Sequence, residues 1–208
     1  MKPDLKREYS PNLLTWDEFS TLINIRPLMS SPTRVRVNGM EETFTWKNSI
    51  WSIDPNCFPA SLLKEMIGKY VCSFLDMSRS TKKINDFAKK LEEEYNLSAD
   101  AHIYTCRNPK LGHPFGIHYD YADNVIVQCE GKTNFKVWEE VEPTSGSNVN
   151  LTINDPPIMD IDMNPGDVIW IPKHYPHLAS SKTPRMSVSF PSYHKLNKSY
   201  EERDWIKL

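Results

Sequence analysis

The chain has 208 residues, with 25 Lys and Arg against 27 Asp and Glu and a formal net charge of −2. That length suits one domain with a substantial core, and the balanced charge excludes both the basic footprint of a nucleic-acid binder and the composition of an acidic tail. The N-terminal MKPDLKREYSPNLL lacks the apolar core of a secretory signal and no run approaches the roughly 20 apolar residues of a membrane span, so a soluble, cytoplasmic protein is expected.

A first helix is predicted in TWDEFSTLIN, where Thr15 and Glu18 form a capping box and Leu22 and Ile23 begin an apolar face; it ends before Pro27. Residues 30–56 carry no long periodic pattern, and SSPTRVRVNGMEETFTW reads as a connector with a hairpin around Asn38-Gly39. A second helix opens at Pro59 in FPASLLKEMIGKYVCSFL, since proline is favoured in a first turn. The third is clearer: in TKKINDFAKKLEEEYN the residues Ile84, Phe87, Ala88, Leu91 and Tyr95 recur at helical spacing, and KKLEEE reads as the solvated outer face.

From Ala101 the pattern changes to short β-rich runs broken by Gly, Pro, Asn and Asp: AHIYTC, NVIVQC, TNFKVW, NVNLTI, IMDIDM, DVIWI, HLASS and RMSVSF. About eight strands with turn signals between them argue for a closed or double-sheet architecture such as a jelly roll. The expected organisation is a helical and connector region over residues 1–98 packed on a β core of residues 99–195, followed by a tail of residues 196–208 in which YHKLNKSYEERDWIKL forms at most one short helix. Cys57, Cys72, Cys106 and Cys129 form no CxxC pair, which argues for reduced, mostly buried thiols rather than a zinc knuckle or a disulfide framework.

The chemistry is concentrated in FGIHYDYADN. Residues i and i+2 of an extended strand share a face, so His118 and Asp120 can converge on one point. One more histidine would give two His and one carboxylate with open positions, the arrangement of non-haem Fe(II) oxygenases. NPGDVIWIPKHYPHLASS offers His174 and His177; His177 is preferred because it leads an extended segment, whereas His174 lies in a Pro-flanked loop.

Three blocks together carry a family resemblance: DFAKKLEEEYNLSADAHIYTC, FGIHYDYADNVIVQCEGKTNFKVW and MNPGDVIWIPKHYPHLA. In this order and spacing they resemble the JmjC/cupin-fold oxygenases that depend on Fe(II) and 2-oxoglutarate, and most of all the ribosomal-oxygenase type, which hydroxylates ribosomal proteins. The resemblance implies a mainly β double-stranded β-helix with N-terminal helices, and makes His118, Asp120 and His177 the iron ligands. It also implies a cation for the far carboxylate of 2-oxoglutarate, and here the chain departs from the pattern. Thr133 stands where relatives place Lys or Arg, and alternation puts Lys132 and Lys136 on the opposite face. Arg185 with Ser187, in RMSVSF, resembles the R-x-S anchor of another branch; the other reading is a strand-edge arginine paired with a surface carboxylate. Thr133 can add a hydroxyl. His102, Tyr104 and Asn124 fall where cosubstrate contacts are expected, although each also suits a satisfied core polar group.

The resemblance implies hydroxylation of a substrate, a protein side chain first and a small molecule second, with conversion of 2-oxoglutarate and O2 to succinate and CO2. Ribosomal oxygenases carry further C-terminal dimerisation and winged-helix parts for which little room is expected here, so a homodimer would use the N-terminal helices or a sheet edge. Two other classes compete. One is a metal-dependent cupin dioxygenase or isomerase without 2-oxoglutarate, favoured by Thr133; the other is a non-catalytic metal-binding module, disfavoured by a complete His-Asp-His set.

Overall fold

The computed structural model describes residues 2–10, 13–25, 35–38, 44–45, 67–75, 77–95, 98–111, 115–143 and 148–192. Two α-helices with both ends described, the end of a further helix at residues 67–69, a 3-10 turn at Pro109–Leu111 and eleven strands are assigned among these residues. Helix α1 spans Trp16–Ile25 and α2 spans Lys82–Tyr95. The strands are β1 (Asp4–Lys6), β2 (Val35–Asn38), β3 (Phe44–Thr45), β4 (Val71–Phe74), β5 (His102–Cys106), β6 (Asp123–Glu130), β7 (Thr133–Val137), β8 (Met159–Met163), β9 (Val168–Ile171), β10 (His177–Ser181) and β11 (Arg185–Ser192).

Both helices begin as their sequence dictates, but the outer face read from KKLEEE is interrupted, because Glu92 is buried and accepts Ala99 N at 3.0 Å. Glu18 N donates to Thr15 Oγ1 at 3.2 Å while Thr15 N donates to Glu18 Oε2 at 2.9 Å, the reciprocal capping box that satisfies two otherwise free amides. In α2 the stripe Ile84, Phe87, Ala88 and Leu91 is buried, and Lys82, Lys83 and Lys90 stay exposed. Those faces pack on one side of an antiparallel sheet of order β1-β9-β6-β11-β5-β4-β2-β3. A second sheet, β10-β7-β8, covers the other side, giving the two-sheet jelly roll expected from the strand-rich half.

Alternation along the central strands divides the core in two. Val125, Val127 and Cys129 of β6 and Met186, Val188 and Phe190 of β11 join the helices. Ile126 of β6 instead meets Phe135 and Val137 of β7 and Ile169 and Ile171 of β9 between the sheets. Cys72, Cys106 and Cys129 are free and buried, as expected of unpaired thiols.

Several elements differ from the sequence reading. The N-terminal region is not only helical, because it supplies β1–β4 to the large sheet, with β4 paired to β5 across the 98/99 boundary. In FPASLLKEMIGKYVCSFL only the end is described: residues 67–69 are helical, and VCSF then forms β4, buried throughout. Its β-branched and aromatic content went unread because the run follows directly on a helical pattern. The hairpin near Asn38 is present as β2 against β3, with Val37 opposite Phe44, although its turn lies outside the described residues. NVNLTI is no strand. Asn150 adopts a left-handed φ of 55°, and the segment instead bonds Tyr119 N to Asn148 O at 3.1 Å and Leu151 N to Ile117 O at 2.8 Å. The start of the second helix, Cys57 and the tail beyond residue 192 also lie outside the described residues.

Strand β1, three residues without an apolar pattern, is held at the sheet edge by the PGD turn. Asp167 is 2% exposed and accepts Asn164 N at 2.9 Å, Glu8 N at 3.2 Å and the Arg7 guanidinium. Ser10 N donates to Gly166 O at 3.1 Å. Asp167→Ala should therefore lower the unfolding free energy by about 3 kcal/mol, because hydrogen bonds to a buried charge are lost and two amides lose their acceptor; urea denaturation measures this.

Candidate metal centre

The segment holding His118 is not a regular strand, contrary to expectation, but a single β-bridge fixes it. His118 N donates to His177 O at 3.1 Å and His177 N to His118 O at 2.7 Å. This reciprocal pair sets the imidazoles side by side, with ring centroids 4.3 Å apart. Two residues on, His174 N donates to Asp120 O at 2.9 Å, so the loop before β10 holds the aspartate as well. The ligand atoms of His118, Asp120 and His177 all lie within 4.8 Å of one another. His174 is outside this group: it takes a left-handed φ of 66°, and its ring stands edge-on to Tyr119 and Tyr121.

Each histidine is oriented by a carbonyl. His118 Nδ1 lies 3.1 Å from Gly116 O and His177 Nδ1 lies 3.0 Å from Tyr175 O. With Nδ1–H donating, each Nε2 lone pair is free for a cation. Burial, reinforced by neighbouring His177, pushes His118 down to about 4 despite the opposing pull of Asp120. At neutral pH His118 is thus the unprotonated imidazole that a metal requires.

A cavity of about 320 Å³ runs from this cluster between the sheets. Its walls include Tyr104 of β5, Asn124 and Ile126 of β6, Phe135 of β7, Ala179 of β10, and Arg185 and Ser189 of β11. Because Phe135 and Ala179 face inward, alternation points Thr133 and Ser181 the same way, and these two are cross-strand partners. Arg185 reaches Ser181. It is 5% exposed, donating from Nε to Ser181 Oγ at 3.1 Å and from Nη1 to Ser187 Oγ at 2.9 Å.

Among the described residues no carboxylate pairs with Arg185, and desolvation works against its charge. The surface ion-pair reading therefore fails, since β11 lies inside the sheet between β6 and β5. Thr133, fully buried, leaves its Oγ1 without a hydrogen-bond partner. A buried cation beside an unused hydroxyl is costly unless an anion completes it. Lys136 points outward, 3.4 Å from Asp160, and Lys132 is exposed, as their register requires.

The remaining expected contacts divide. Tyr104 lines the cavity edge-to-face with Phe115, ring centroids 6.3 Å apart. Asn124 also lines it, yet its amide is engaged by protein, donating to Asp120 Oδ2 at 3.2 Å and accepting from Ser189 Oγ at 2.6 Å. His102, like Thr133 and Ser187, is not among the lining residues, and it lies 3.5 Å from Asp100. Sequence reading missed Ser181 and Ser189. Their inward phase could have been counted from His177 and Arg185, but single serines on short strands carry no signal alone.

A double-stranded β-helix with two histidines and a carboxylate at the mouth of an inter-sheet cavity defines the class. The chain belongs to the JmjC domain family, whose model matches residues 76–200. It is 26% identical over 129 residues to the bifunctional lysine-specific demethylase and histidyl-hydroxylase NO66 of Drosophila persimilis, covering 61% of this chain and 18% of that protein. To human ribosomal oxygenase 1 it is 24% identical over 125 residues, covering 57% and 18%. The crystal structure of Escherichia coli ycfD superposes with a TM-score of 0.68 at 16% identity, covering 95% of this chain and 51% of that one. A second structure of YcfD, a ribosomal oxygenase in complex with cobalt and 2-oxoglutarate, superposes with a TM-score of 0.65 at 16% identity, covering 95% and 49%. The chain thus spans about a fifth of these curated relatives and half of these solved chains.

The geometry separates the two histidines of the distal loop. His118→Ala, Asp120→Ala and His177→Ala should each abolish Co(II) binding in a calorimetric titration, while His174→Ala leaves the affinity unchanged.

Proposed function

We propose that this chain is an Fe(II)- and 2-oxoglutarate-dependent oxygenase that hydroxylates its substrate. The observation that carries the reading is Arg185, a buried guanidinium held by two serine hydroxyls without a carboxylate, in the same cavity as His118, Asp120 and His177. One end suits a divalent cation, and the other suits a carboxylate. A 2-oxo dicarboxylate joins those two requirements in one molecule.

When bound, Fe(II) with 2-oxoglutarate and O2 supplies the oxidation, with one oxygen atom passing to the substrate and one to succinate as CO2 is lost. The protein's share is placement and exclusion of water. His118, Asp120 and His177 hold the cation from one side and leave positions open. Arg185 and Thr133 take the distal carboxylate, the guanidinium as cation and the hydroxyl as a further donor. Ile126, Phe135 and Ala179 enclose the middle of the cavity and keep water away. Tyr104 borders the same space.

The substrate that fits first is a protein side chain. Phe115, Asn148 and Val149 also line the cavity, and Val149 is 39% exposed, offering neutral surface to an incoming segment. The names of the relatives, which speak of histidyl hydroxylation, lysine demethylation and ribosomal oxygenation, favour a protein over a small molecule. A cupin chemistry without 2-oxoglutarate drew its support from Thr133, and Arg185 removes that support.

Anaerobic titration of the Fe(II)-loaded chain with 2-oxoglutarate tests the reading through the visible charge-transfer band of the chelate. Saturable binding is expected in the wild type. In Arg185→Ala it should weaken by at least about 30-fold, or about 2 kcal/mol, the scale for truncating one partner of a buried charge pair. Absence of the band in the wild type would sink the oxygenase reading.

A further inference from the structure

Each of the three clustered side chains has its own orienting contact, and two of these are backbone carbonyls: Gly116 O for His118 and Tyr175 O for His177. Asp120 is different. Its side chain is 37% exposed, and its Oδ2, 3.8 Å from His177 Nε2, accepts Asn124 Nδ2 at 3.2 Å. A carboxylate on an irregular segment can rotate, so what fixes Asn124 also fixes the third corner of the cluster. Asn124 is 8% exposed, and its backbone is clamped at the start of β6 opposite Ile171 and Pro191.

An amide can present either of its ends. Turned over, Asn124 would set its oxygen against Asp120 Oδ2, two acceptors facing each other in a closed space. The carboxylate, which can only accept, therefore selects the amide nitrogen, and the Ser189 hydroxyl, on a residue 2% exposed, completes the arrangement by donating to Asn124 Oδ1 at 2.6 Å. The strand phase of β11 puts Ser189 in the cavity wall for this purpose, four residues beyond Arg185.

We propose that Ser189 and Asn124 are positioning residues for the metal centre, a hydroxyl-to-amide-to-carboxylate relay that holds Asp120 in its ligating orientation. The proposal rests on the reading of His118, Asp120 and His177 as metal ligands. Neither relay residue needs to touch the metal. Partners at this distance characteristically control affinity through the ligand that they orient.

The test is a Co(II) titration of the full metal-free chain, followed by visible absorption, in wild type, Ser189→Ala, Asn124→Ala and the double variant, with circular dichroism to establish folding. Each single variant should bind Co(II) roughly 10- to 100-fold more weakly. The double variant should be no weaker than Asn124→Ala alone, because Ser189 acts only through Asn124. Wild-type affinity in Ser189→Ala, or losses that multiply in the double variant, would overturn the relay. If Ser189→Ala does not fold, Asn124→Ala carries the test, and unchanged affinity there overturns the proposal. Wild-type chain that takes up no Co(II) would overturn the metal-centre reading, and the relay with it.

Discussion

Strand β11 is buried on both faces, and most of the molecule's organisation follows from that constraint. Its sequence RMSVSF alternates polar and apolar residues, a pattern that in a half-exposed strand would turn the polar side to water. Here Met186, Val188 and Phe190 pack on the helices, while Arg185, Ser187 and Ser189 are 5%, 2% and 2% exposed. Polar groups enclosed in this way must find partners within the protein or in a ligand. Arg185 reaches the deep end of the cavity and Ser189 reaches the cluster at its mouth, so one strand serves both ends.

The two ends also match in charge. Asp120 against a divalent cation leaves one net positive charge, and Arg185 supplies a second. No other ionised acid lines the cavity among the described residues, and His118 is held neutral. A dianion with a carboxylate at each end neutralises the pair, which neither a monoanion nor a neutral ligand does. The sheets meet at the mouth through the reciprocal His118 and His177 amides. Backbone bonds therefore fix the spacing of the two histidine backbones, and the Gly116 and Tyr175 carbonyls set the rings.

The parts legible in the sequence were those written in local pattern. The capping box, the α2 stripe and the strand-rich half depend on spacing along the chain, whereas His177, 59 residues from His118, joined the set through the order of whole blocks and the family resemblance they carry. What stayed hidden depends on partners far away. Strand β1 exists because Asp167, more than 150 residues later, accepts from Glu8 and Arg7. NVNLTI alternates well enough for a strand, yet it lies against residues 117–119, where Gly116 has a φ of 61° and a Cβ would come within 2.4 Å of Asn150 Oδ1. His102 shares a strand phase with Tyr104 but pairs with Asp100 beside it, a distinction that periodicity does not make.

Thr133 and Arg185 are best understood as a linked pair. Thr133 lies opposite Ser181 in the β7–β10 ladder, and Ser181 Oγ receives Arg185 Nε, so side chains from β7 and β11 approach one region. A long cation at position 133 would enter the space into which Arg185 extends. Two buried cations facing one carboxylate would leave a charge uncompensated, at a cost of several kcal/mol in an enclosed site. A small hydroxyl at 133 leaves room for the guanidinium. On the proposed reading, the departure at Thr133 from the ribosomal-oxygenase pattern would then be no loss of the anion site, because Arg185 enters from the opposite sheet.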